Sequence, residues 1–111
     1  MSINQQTEIL NSLLQIMHDS VSTSYDSLEC VFDYYKDSGD GSLSIGSKFA
    51  YIEKDNINYT LLNDPDYRVN ELIIKLHDLM VAHTGGSWKE FVLSLDESGR
   101  AHTNFIYDEK S

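Results

Sequence analysis

At 111 residues and 41% hydrophobic content, the chain has the size and apolar share of one folded domain, 1–111, able to bury a core without disulfide or metal staples. Eighteen acidic residues against eight basic ones give a formal net charge of −10, which argues against direct nucleic-acid binding, because phosphate recognition needs clusters of Lys and Arg. The single cysteine, Cys30, rules out an intrachain disulfide and fits a reducing compartment.

The opening stretch MSINQQTEIL has neither a basic region nor a long apolar run and does not read as a secretory signal. No apolar segment approaches the roughly 20 residues that cross a bilayer. The expected location is the cytoplasm, with no membrane association. An acidic surface of this kind suits a basic protein partner, whose approach it would accelerate; it also serves plain solubility.

Residues 7–21 predict a helix. Ile9, Leu10, Leu13, Leu14, Ile16, Met17 and Val21 recur at three- and four-residue steps and form one apolar stripe, with Thr7 or Asn4 available as a cap. The Ser-rich stretch 20–24 ends it. Residues 25–36 predict a strand with Leu28, Cys30, Phe32 and Tyr34 on one face and Glu29, Val31, Asp33 and Tyr35 on the other. The polar segment 37–42 reads as a loop. A second strand follows, alternating Leu43, Ile45, Ser47, Phe49 and Tyr51 against Ser44, Gly46, Lys48, Ala50 and Ile52, so the two make an antiparallel hairpin. Residues 54–58 read as another turn and 59–62 as a short third strand.

Asp64 and Pro65 predict the start of a second helix, Asp64 as N-cap and Pro65 at the first helical position. Val69, Leu72, Ile73, Leu76, Leu79 and Met80 carry its stripe to about His83, and Gly85-Gly86 stops it, one of the pair left-handed. Residues 88–95 and 101–107 predict a closing hairpin around Ser98-Gly99, with Phe91, Leu93 and Leu95 sharing one parity in the first run and Ala101, Thr103, Phe105 and Tyr107 in the second. Residues 108–111 read as a loose tail. The expected fold class is α+β: an antiparallel sheet of four to five strands, with two main helices packed on one face, in the order α-β-β-(β)-α-β-β.

Few residues form a pattern that carries chemistry. The 37–42 loop lacks the Asp-x-Asp-x-Asp-Gly spacing and terminal Glu of a calcium loop. His77 and His83 stand six residues apart, the wrong spacing for a zinc pair on one helix face. Cys30 sits beside Phe32 on an inward face and reads as a small hydrophobe. There is no phosphate-cradling Gly loop, nucleophile elbow or paired-carboxylate motif, so neither an enzyme nor a cofactor is expected. The sheet face away from the core is more informative. By parity it carries Glu29, Val31, Asp33 and Tyr35, then Lys48 and Ile52, then Trp88, Glu90, Val92, His102, Asn104 and Ile106. Carboxylates mixed with aromatic and aliphatic groups suit protein binding. Trp88 has an equal reading as core, folded over the sheet edge or under the Gly85-Gly86 turn.

In the closing hairpin, Trp88, the run Phe91-Val92-Leu93-Ser94-Leu95-Asp96, Ser98-Gly99-Arg100, and Asn104-Phe105 with Tyr107 resemble the closing signature of YezG-like immunity proteins. In that family a Trp precedes a strand of alternating hydrophobics ending in Asp, then a Gly turn and a Phe-x-Tyr strand. The motif spans about the last quarter of the chain; upstream, only the order of elements is similar.

The resemblance implies a bacterial immunity protein, or antitoxin, that neutralises a co-produced toxin domain of contact-dependent growth inhibition or a related toxin system. Such toxins are often nucleases, with an EndoU-type ribonuclease the best single expectation. Binding would be one-to-one and would mask the basic RNA-binding or active-site surface. The family motif supplies no catalytic residue to carry over. Charge and parity nominate Glu29, Asp33, Asp37 and Asp40 as charge partners and Tyr35 as anchor, with Trp88, Glu90 and His102 joining from the closing hairpin. Asp64 and Asp66 read as helix-cap acids. The competing readings are an acidic adaptor or oligomeric interaction module, and a small enzyme using Cys30 or a histidine.

Overall fold

The computed structural model describes residues 2–37, 39–85 and 88–107. The first helix, α1, spans Ser2–Asp19. It begins five residues before the expected start and runs through Asn4 and Thr7, so neither is its cap. No Gly or Pro interrupts the Ser2–Thr7 stretch, and Gln5 and Gln6 are good helix formers. Its buried stripe is Ile9, Leu13, Ile16 and Met17. Ser20 ends the helix: its hydroxyl donates to the Ile16 carbonyl at 2.6 Å and accepts from the Asn63 N–H at 2.7 Å. One side chain thus ties the helix end to the segment leading into the second helix.

Three strands follow, β1 (Ser27–Lys36), β2 (Leu43–Glu53) and β3 (Asn56–Thr60). The turn between β2 and β3 consists of Lys54 and Asp55 alone, with φ of 51° and 67°. Both residues are left-handed, the shape of a two-residue hairpin turn that matches strand twist. The third strand therefore starts at Asn56, three residues before the expected position. The Asp26 carboxylate supports this turn by accepting the Lys54 N–H at 2.9 Å.

The second helix, α2, spans Arg68–Thr84. It opens later than the Asp64-Pro65 pair predicts, because residues 64–67 first form a turn closed by the Tyr67 N–H to the Asp64 carbonyl. Tyr67 is left-handed, with φ of 55°, and its side chain makes no cap hydrogen bond. Asp64 still performs the capping from its displaced position. Its two carboxylate oxygens accept the Arg68 and Val69 N–H groups, each at 2.9 Å. Gly85 ends the helix in the left-handed conformation, φ 77°, with its N–H on the Val81 carbonyl.

Strands β4 (Trp88–Leu95) and β5 (Ala101–Tyr107) coincide with the expected closing hairpin, and Gly99 takes the positive φ, 85°, that the turn requires. All neighbouring strands are antiparallel, in the order β3-β2-β1-β4-β5. The result is the expected α+β class, a five-stranded sheet with both helices on one face. Val69, Ile73, Leu76 and Met80 of α2 join the α1 stripe over Leu28, Cys30, Phe32, Phe49, Phe91 and Leu93. Burial of each such side chain contributes roughly 1.5–3 kcal/mol. Among the described residues, no helix is long and apolar enough to cross a membrane. The tail at 108–111, Ser38 in the first loop and Gly86 after α2 lie outside the described residues.

Candidate protein-binding face

The sheet has one face covered by helices and one face open. Strand β1 is central, so its parity decides what each face displays. Leu28, Cys30 and Phe32 point into the core and are buried. Glu29, Val31, Asp33 and Tyr35 point the other way, and pairing on both sides of β1 builds rows across the open face. Glu29 lies between Ala50 and Ser94, Val31 between Lys48 and Val92, and Asp33 between Gly46 and Glu90. Tyr35, opposite Ser44, is 61% exposed.

The Asp33 row is electrostatically unfavourable. Two carboxylates of like charge are direct cross-strand partners, an arrangement that destabilises a sheet. Gly46, on the other side of Asp33, leaves room for its carboxylate. A Cβ at that position would stand 3.2 Å from Asp33 Oδ2, so the Asp33 carboxylate occupies space that a larger residue would fill. Below this row lies a hollow of about 480 Å³ lined by Glu29, Val31, Lys48, Ile52, Ile57 and Tyr59, among others. It combines an aliphatic and aromatic surface with both signs of charge.

The nominated residues do not form one cluster. Glu29, Asp33, Tyr35 and Glu90 share the open face as expected. Asp37 and Asp40 belong to the β1–β2 loop and organise it: Asp37 Oδ1 accepts the Gly39 N–H at 2.6 Å and Asp40 Oδ1 the Ser42 N–H at 2.9 Å. The Ser42 N–H also holds the Asp40 carboxyl below its ordinary pKa. His102 is on the open face but engaged, with Nε2 2.8 Å from Asp96 Oδ2. That contact, with the Arg100 and Ser98 groups, holds the Asp96 carboxyl well below the usual carboxylate range.

Trp88 is not on the open face. A β-bulge between Trp88 and Glu90 inserts one residue into the pairing with β5, so Trp88 and Phe91 both face the core although their parity differs. At 1% exposure Trp88 is a core residue. Its ring meets His77 edge-on at 5.0 Å, and lies 5.7 Å from Phe91, 5.7 Å from Phe105 and 5.8 Å from Tyr34. His77 in turn stacks flat on Tyr34, with centroids 3.6 Å apart. Burial pulls the His77 pKa below its ordinary value, because it disfavours the charged ring.

Cys30 is fully buried, and burial pushes its thiol up to about 12. A neutral thiol in that setting packs as a hydrophobe and is a poor nucleophile. Among the described residues no group of three or more His, Cys, Asp or Glu side chains is placed to hold a metal ion.

Parity along single strands missed Ile57 and Tyr59, which the early start of β3 brings onto the open face, 59% and 72% exposed. The polar pair Lys54-Asp55 is the sequence signal that could have placed them, read as a two-residue turn. Set against protein-family models and curated proteins, the chain matches none.

Proposed function

We propose that the chain is a bacterial cytoplasmic immunity protein, YezG-like, that binds a cognate toxin domain one-to-one and masks its basic surface. A nuclease of the EndoU ribonuclease type is the toxin class that the closing-hairpin signature favours. The observation that carries the reading is the open sheet face. Glu29, Asp33 and Glu90 stand there beside exposed Tyr35, Ile57 and Tyr59 on a chain of net charge −10. A nuclease must display Lys and Arg to grip RNA. Cations from such a surface would pair with these carboxylates and relieve the Asp33–Glu90 repulsion on binding. The blockade is physical, and no chemical step by this chain is needed.

The test is co-expression with the toxin domain encoded immediately upstream, followed by gel filtration of the mixture. Protection of the cells and a stable one-to-one complex are expected. Cells that die equally fast with and without the chain, with no complex recovered, overturn the reading.

A further inference from the structure

The edge of the sheet at β3 is built unlike a protected edge. From Asn56 to Asn63 the chain carries no charged side chain and no Pro, in a protein of net charge −10. The β2–β3 register also runs without a bulge. Charges, Pro and bulges are the devices that keep exposed strands from pairing. Ile57, Tyr59 and Leu61, at alternate positions, are 59%, 72% and 87% exposed.

The backbone at this edge faces outward in a definite pattern. Glu53 and Asn56 flank the two-residue turn as register partners, the hydrogen-bonded pair of such a hairpin. Alternation then makes Tyr51–Asn58 and Phe49–Thr60 bonded pairs and Ile52–Ile57 a non-bonded one. The Ile52 carbonyl agrees, since it turns toward β1 and accepts the Asp26 N–H at 2.7 Å. Ile57 and Tyr59 therefore direct their own N–H and C=O groups outward, away from β2.

We propose that this edge pairs with the same edge of a second copy, in an antiparallel, two-fold symmetric dimer centred on Asn58. Reversing β3 on itself about Asn58 sets Ile57 against Tyr59 of the partner subunit, and Tyr59 against Ile57 of the partner subunit. Each pair exchanges both backbone hydrogen bonds, and each brings a β-branched side chain against an aromatic one on the open face. The match is isologous, as a two-fold contact requires. A second copy fits this edge because the uncharged run is where two chains of net charge −10 meet with least repulsion. The opposite edge, β5, has less apolar surface to gain: Phe105 is already packed against the core and Ile106 is half-buried. The contact is short, so association is weak and concentration-dependent. It leaves Glu29, Asp33 and Glu90 uncovered and does not depend on the toxin reading.

Sedimentation equilibrium of the full chain tests it, over roughly 1 µM to 1 mM protein and from about 50 to 500 mM NaCl. The mass should rise from one chain toward two, and association should strengthen with salt as like-charge repulsion is screened. Ile57→Lys with Tyr59→Lys should weaken association at least tenfold with the far-UV circular dichroism retained, whereas Thr103→Lys, exposed on β5, should not weaken it. Amide exchange of the unaltered chain gives a readout free of mutation. The Ile57 and Tyr59 amides should gain protection with concentration, and the Asn58 amide, already bonded to β2, should not. A single-chain mass at every concentration and salt overturns the proposal. So does a dimer indifferent to the β3 substitutions, or one without concentration-dependent protection at Ile57 and Tyr59.

Discussion

On the helix-covered face of the sheet, Trp88 lies within 6 Å of four other rings and is 1% exposed. On the open face, a few residues along the same strands, Asp33 and Glu90 oppose each other with like charge. The first arrangement gains free energy from every contact. The second loses some in the isolated protein, and nothing in the fold requires it, since neutral residues would pair across β1 and β4 at least as well. Local conflict of this kind marks surfaces whose residues answer to something other than stability. The two faces thus separate fold-making residues from candidate binding residues more cleanly than sequence position does. Trp88 and Glu90 are two residues apart and belong to different categories.

Removing the hub of the covered face should break the comparison most severely. Trp88→Ala is expected to cost about 3–5 kcal/mol of unfolding free energy, measured by urea denaturation. Trp88→Phe should cost less, below about 2 kcal/mol. The indole Nε1 has no hydrogen-bond acceptor among the described residues, so its loss forfeits no bond and leaves mainly a volume deficit. A Phe variant as unstable as the Ala variant would mean that the indole N–H matters in a way the packing does not account for.

The next effect is a pH dependence on the covered face. His77 is buried among Tyr34 and Trp88, and burial lowers its pKa while the nearby Asp78 charge partly opposes the shift. Between the folded value and the ordinary value of 6.5, the unfolded chain binds a proton that the folded chain does not. Stability therefore rises with pH in that window. The His77 contribution is complete above 6.5 and is lost as pH falls through the lower, folded value. Unfolding free energies across this range should fall on acidification, and His77→Leu should flatten the slope. Equal slopes in the two proteins would show that His77 is not the titrating group.

What the sequence makes legible follows the range of the interactions. The bounds of β4 and β5 were readable because alternation and the Gly99 turn are local. The orientation of Trp88 was not, because the bulge beside it is defined only by pairing with β5. Asp64 was readable as the cap of α2, but the helix start was displaced by a turn that uses the left-handed conformation at Tyr67, where no Gly announces it. The same blindness to positive φ at Lys54 and Asp55 hid the true start of β3 and with it the exposed Ile57–Tyr59 edge. Glu29, Asp33 and Tyr35 were correctly assigned to one face of β1 from parity. That Asp33 meets Glu90 required the register between strands distant in the chain.

The smallest expected effect tests the open face most directly, because it carries opposite signs in the two states of the protein. Neutralising one member of the repelling pair, by Asp33→Asn or Glu90→Gln, should stabilise the free protein by roughly 0.2–1 kcal/mol. The gain should shrink at high salt, since both groups are at the surface. Under the proposed toxin-binding reading, the same substitution would remove a charge-assisted contact from the complex, so dissociation should quicken. Stability from urea unfolding and dissociation rate from surface plasmon resonance would then move in contrary directions. A purely structural role predicts otherwise: losing Asp33 or Glu90 would lower stability and leave dissociation unchanged. If Glu90→Gln weakens the complex while Asp33→Asn does not, the Asp33 carboxylate stays seated in the space left by Gly46 on binding. The partner cation then contacts Glu90 alone.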